Sequence, residues 1–114
     1  MGAFGIRRPL RFLSHKLDLD ESQTAILAEV LDDLKTERGQ ADVDKRRAQK
    51  LFAEAMTSET FDEDKAKKAT KLRTESNERF IKVTAEGLKS LHAVLDASQR
   101  QRLATLMRAG PFVF

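Results

Sequence analysis

Leu19-Asp20-Glu21-Ser22-Gln23 and Leu95-Asp96-Ala97-Ser98-Gln99 are two copies of one pattern, Leu-Asp-x-Ser-Gln, set near opposite ends of a 114-residue chain. Asp-x-x-Gln is a capping box. The carboxylate accepts the N–H of the third helical residue, and the glutamine amide reaches back to the N–H of the cap. Each copy therefore predicts a leucine entering a helix start, with an acid held against the positive end of the helix dipole. Two such starts bracket a long middle segment and outline the whole molecule.

Working outward, residues 1–8 read as a flexible basic lead, and Pro9 suits the first turn of a short helix over about 9–16. Leu10, Leu13 and Leu17 give that helix its apolar spacing. A second helix, about 20–56, has a heptad-like stripe through Leu27, Leu31, Leu34, Ala41, Ala48, Phe52 and Ala55, with Arg38 and Lys45 on the same seam. Residues 57–62 are the natural turn, and Asp62, or Thr60 with Glu63, can cap the next helix. That third helix, about 62–94, has its seam at Ala66, Ala69, Ser76, Phe80, Val83, Gly87, Leu91 and Val94, with a second apolar line through Ile81, Leu88 and Leu95. A fourth, about 96–109, buries Leu103, Leu106 and Met107 and stops at Gly110-Pro111, leaving Phe112-Val113-Phe114 as an apolar tail.

Each long helix is on the order of 50 Å in length, and a short turn between them forces an antiparallel hairpin. The fold class is therefore all-α: one domain over residues 9–110, a long hairpin with short flanking helices. A single hairpin has too little interior for its surface, so a homodimer with four long helices is expected. Glycine is costly inside a helix, so Gly39 and Gly87 mark bends or close contacts.

Charge comes in blocks. Residues 1–16 hold Arg7, Arg8, Arg11 and Lys16 and no acid, residues 17–33 hold six acids and no base, and residues 65–82 hold seven bases against Glu75 and Glu78. Such blocks suit paired antiparallel helices or a surface with separate acidic and basic faces. The absence of cysteine excludes disulfides, thiol nucleophiles and thiolate metal sites. There is no apolar run of the roughly 20 residues a membrane span needs, and no hydrophobic signal core at the N-terminus.

No catalytic triad order, nucleotide loop or paired general acids are present, so the chain reads as no enzyme. Its histidines are His15 and His92, near Asp18, Asp20 and Asp96 at the expected open end of the hairpin. Two imidazoles with carboxylates suit zinc, nickel or copper; otherwise His92 packs between Leu88 and Leu95 while His15 faces water. The segment Arg7–Leu13 mixes bases with apolar residues and suits contact with an anionic membrane surface, or simple docking of its leucines. Nucleic acid is not an expected partner, because acidic blocks adjoin the basic ones and no aromatic reader is present. Around the distal half of the hairpin, Lys35, Arg38, Lys45, Arg46, Lys65, Lys68 and Arg73 make a basic, part-apolar surface able to hold flexible client chains.

The paired boxes, in the order short helix, box, long hairpin, box, short helix, resemble the LTxxQ-motif Spy/CpxP family of periplasmic chaperones, which includes the ZraP/CnrX-like heavy-metal resistance proteins. Both boxes have Asp where the family name has Thr, and either residue works as a cap. The resemblance assigns Leu19, Asp20, Gln23, Leu95, Asp96 and Gln99 to the family motif. It implies a dimerising all-α hairpin in the periplasm, with unfolded proteins, and an envelope sensor protein, as partners. The metal-sensing branch pairs histidines on the first helix and sets a His/Met pair before the second box. Here Arg11 stands one turn before His15 and no His-x-x-x-Met precedes Leu95, which favours the chaperone-like branch with no required cofactor. A periplasmic metal sensor and a cytosolic helical interaction module are the alternatives.

Overall fold

The computed structural model describes residues 5–110, which form four helices and no strand: α1 (Arg7–Lys16), α2 (Glu21–Thr57), α3 (Glu63–Val94) and α4 (Ala97–Arg108). The expected Phe112-Val113-Phe114 tail lies outside the described residues, as do the first four residues of the lead. Helices α2 and α3 pack as a hairpin. α1 begins at Arg7, ahead of Pro9, so Arg7 and Arg8 are helical. A proline in the first turn costs no hydrogen bond, because those N–H groups have no partner one turn earlier.

Each junction is built by its local sequence. α1 ends with Asp18 in the left-handed region, φ 52°. The Leu19 N–H donates to Ser14 O at 3.0 Å and the Asp18 N–H to His15 O at 3.2 Å, the paired bonds of a Schellman ending. At the hairpin turn, Asp62 caps α3 by accepting the Lys65 N–H at 3.2 Å. Its own N–H donates to Ala55 O, and the Thr57 hydroxyl donates to Glu54 O, so carbonyls at the end of α2 are satisfied.

The chain forms two compact units. The first comprises Met1–Lys35 and Val83–Phe114, the second Thr36–Lys82. All four of the largest fully buried side chains, Leu13, Leu17, Leu27 and Leu34, belong to the first unit. Each contributes about 1.5–3 kcal/mol of apolar burial. Here Gly87 is the close contact: a Cβ built on it would lie 2.7 Å from Val30 Cγ1.

The second unit is held differently. Its buried residues are Ala48, Ala55 and Ala69 with the polar Asp44 and Ser76, all small. The stripe on α2 also differs from the expected one. Leu27, Leu31, Leu34, Ala48 and Ala55 are buried as predicted and Ala41 is half-buried, but Val30 is buried too, and beyond Leu34 the companion line runs through Glu37, Asp44 and Leu51. Arg38, Lys45 and Phe52 are exposed, one position off the seam. Arg79 of α3 is the physical reason. Its Nη2 lies 2.8 Å from Asp44 Oδ2 and its Nε 3.5 Å from Glu37 Oε1, and Gln40 Nε2 donates to Asp44 Oδ1 at 3.1 Å. A buried carboxylate, held by a half-exposed guanidinium and an exposed amide, takes the place of an apolar residue in the stripe. On α3, Ile81 and Val94 are also exposed, against expectation.

Candidate functional site

The two boxes meet inside the first unit. Asp20 Oδ1 accepts the Gln23 N–H at 2.8 Å, and Gln23 Oε1 accepts the Asp20 N–H at 3.0 Å. Asp96 and Gln99 repeat this at 2.8 and 2.9 Å. The free ends of the two amides then find each other. Gln23 Nε2 donates to Gln99 Oε1 at 2.8 Å, and Gln99 Nε2 donates to Gln23 Oε1 at 3.1 Å.

Each glutamine also grips the chain leading into the other box. Gln23 Nε2 donates to Val94 O at 2.7 Å, while Gln99 Nε2 donates to Leu17 O at 3.1 Å and Asp18 O at 3.3 Å. The left-handed turn at Asp18 stands at this ending of α1, where both accepting carbonyls lie. Leu95 and Gln99 are buried, Leu19 and Gln23 half-buried, and Asp20 and Asp96 exposed. Arg100 and Arg102 add bonds from α4 to Leu95 O at 2.6 Å and Lys16 O at 3.2 Å. The sequence shows the caps, but the mutual clasp joins residues far apart in the chain and leaves no local signal.

The second unit carries a separate feature. A hollow of about 600 Å³ opens on its surface, lined by Arg38, Ala41, Lys45, Arg73, Asn77 and Phe80 among others. The Arg38 guanidinium lies 5.8 Å from the centre of the Phe80 ring, within cation–π range. Of the seven basic residues singled out, Arg38, Lys45 and Arg73 thus gather at one place. Arg46 and Lys68 are exposed elsewhere on this unit, and Lys35 belongs to the first unit. Lys65 is bound to Glu54 at 3.0 Å. That bond holds the Glu54 carboxyl below its usual range and lifts the Lys65 ammonium above its own. Phe80, expected within the seam, instead forms the apolar wall of the hollow.

His15 and His92 are both exposed, at the last turns of α1 and α3. Among the described residues no group of three or more His, Cys, Asp or Glu side chains is placed to hold a metal ion. No described helix is long and apolar enough to cross a membrane.

A long helix and a short one, α2 and α4, each opened by the same capping box and tied to each other through the paired glutamines of those boxes, define a helical protein organised by a repeated capping box. The chain belongs to the LTXXQ motif family, whose model matches residues 5–107 and so takes in both boxes. No curated protein and no solved structure matches it. The family is helical and non-enzymatic, and membership supports a periplasmic protein of the Spy/CpxP kind in general.

Proposed function

We propose that this is an ATP-independent, chaperone-like protein of the periplasm that holds unfolded polypeptides on the second unit. The observation that carries the reading is the hollow lined by Arg38, Lys45 and Arg73, against one acid, Asp42, together with Ala41 and Phe80. Cations attract acidic stretches of an unfolded chain, and the aromatic wall accepts one of its apolar side chains. A unit held by alanine contacts, the Arg79 cluster and the Glu54–Lys65 pair also adapts more readily than a leucine-packed one.

Exposed Val43, Phe52, Met56 and Phe61 in the same unit support a homodimer in which part of this apolar surface is covered. Light scattering should then give a solution mass near twice 12.9 kDa.

The test is dilution of a chemically unfolded acidic protein into buffer with an equimolar amount of this one, followed by light scattering. Wild type suppresses aggregation. A Lys45→Glu/Arg73→Glu variant loses most of that effect while keeping its helicity and Tm. Unchanged scattering with wild type would overturn the proposal.

A further inference from the structure

α1 and α4 contain between them no acidic residue. α1 carries Arg7, Arg8, Arg11 and Lys16, and α4 carries Arg100, Arg102 and Arg108. Among the described residues none of these cations is in an ion pair with a carboxylate. The helices adjoin: Arg102 of α4 donates to Lys16 O of α1 at 3.2 Å. A shallow hollow of about 320 Å³ lies beside that bond, lined by Lys16, Gln101, Arg102, Thr105 and Leu106. Leu13 and Leu17 are buried while Arg7, Arg8, Arg11, Phe12 and Lys16 face outward. Phe12 is 49% exposed amid the basic residues, with the Lys16 ammonium 5.8 Å from its ring centre.

From this surface we infer a second activity, independent of client holding: α1 and α4 dock the protein on an anionic lipid surface. Charge complementarity selects a negatively charged partner. The apolar elements select lipid over a phosphodiester backbone or an acidic peptide in solution. Phe12 stands where it can enter the boundary between headgroups and acyl chains, and the Leu106-lined hollow, edged by Lys16 and Arg102, takes a lipid chain beneath its phosphate. Binding is peripheral and reversible, because the contact rests on one short helix and its neighbour.

Flotation of the full chain with unilamellar vesicles decides the matter. Vesicles of phosphatidylcholine with about 30% phosphatidylglycerol bind the protein, pure phosphatidylcholine vesicles do not, and added salt weakens the binding. Arg8→Ala/Arg11→Ala lowers the affinity roughly 30-fold, at about fivefold per cation. Phe12→Ala lowers it about tenfold with the same salt dependence. Lys82→Ala/Lys89→Ala removes equal charge from exposed positions on α3 and leaves vesicle binding unchanged. Circular dichroism confirms that each variant keeps its helices.

Three results would overturn the inference: no binding to the anionic vesicles, equal loss in the α3 variant, or a Phe12→Ala variant that binds like wild type. The last would assign the surface to a purely electrostatic partner, which competition by polyglutamate would then reveal. Aggregation assays play no part in these readings, so failure here is separable from failure of the chaperone proposal.

Discussion

Gln23 and Gln99 exchange side-chain amide hydrogen bonds, at 2.8 and 3.1 Å, while each still closes its own capping box. Every polar atom of the two amides is thereby engaged twice or more, counting the carbonyls of Leu17, Asp18 and Val94. Neither side chain can be replaced by an apolar one without leaving acceptors unpaired. The buried Leu17 carbonyl is the most costly to abandon. Gln99→Ala should destabilise the protein by about 2–4 kcal/mol and Gln23→Ala by about 1–2 kcal/mol. Denaturant titration of the double variant should show less than the sum, since the two share bonds. Strict additivity would mean that the amide pair contributes nothing beyond the separate caps.

Arg79 holds a buried carboxylate, so its removal should hurt more than its own exposure suggests. Arg79→Ala leaves Asp44 buried with only Gln40 as partner, at a cost of about 1–3 kcal/mol. The half-exposed guanidinium places the value below that of a fully desolvated pair. Asp44→Leu with Arg79→Met removes both charges and should recover most of the loss in thermal melts.

The two helical glycines respond in opposite directions to alanine. At Gly87 the new methyl would meet Val30 Cγ1 at 2.7 Å, and a β-branched side chain in a helix has one strongly favoured rotamer. Gly87→Ala should therefore cost about 1–3 kcal/mol, and Val30→Ala in the same chain should relieve the clash. Gly39 has open space around it, so Gly39→Ala should add up to about 1 kcal/mol.

The Glu54–Lys65 bridge carries a small pH signature. The lysine's hydrogen bond and charge lower the Glu54 carboxyl below its unfolded value, so its contribution is present above that value and lost as pH falls through the folded one. Lys65 is raised by the same bond, so its contribution is lost as pH rises through its folded value, in the alkaline range. The stability difference between wild type and Glu54→Gln should be flat around neutrality and vanish at acid pH. Both groups are on the surface, so added salt should shrink it throughout.

Much of the architecture is legible from short-range patterns. Asp20, Asp62 and Asp96 announce helix starts because a cap needs only residues three apart. Along the weaker line of α2, the apolar pattern points to Arg38 and Lys45, one residue away from the Glu37 and Asp44 that occupy the seam. Apolar periodicity is silent where the buried residue is an acid, and the cation that makes Asp44 worth burying lies 35 residues away in the chain. The same one-residue slip puts Arg38 and Lys45 on the α2 seam. In the folded protein they line an open surface.

The glutamine clasp joins residues separated by 76 positions, whereas the Asp62 turn closes over a handful. Loop-closure entropy orders these events in time: the turn can form early, and the clasp must wait until the long helices bring the two boxes together. Interactions made late are nearly absent from the transition state, so they govern how fast the native molecule opens more than how fast it forms. The repeated box that marks the helix starts is thus also a timer, setting how long α1 and α4 stay latched once the protein has folded.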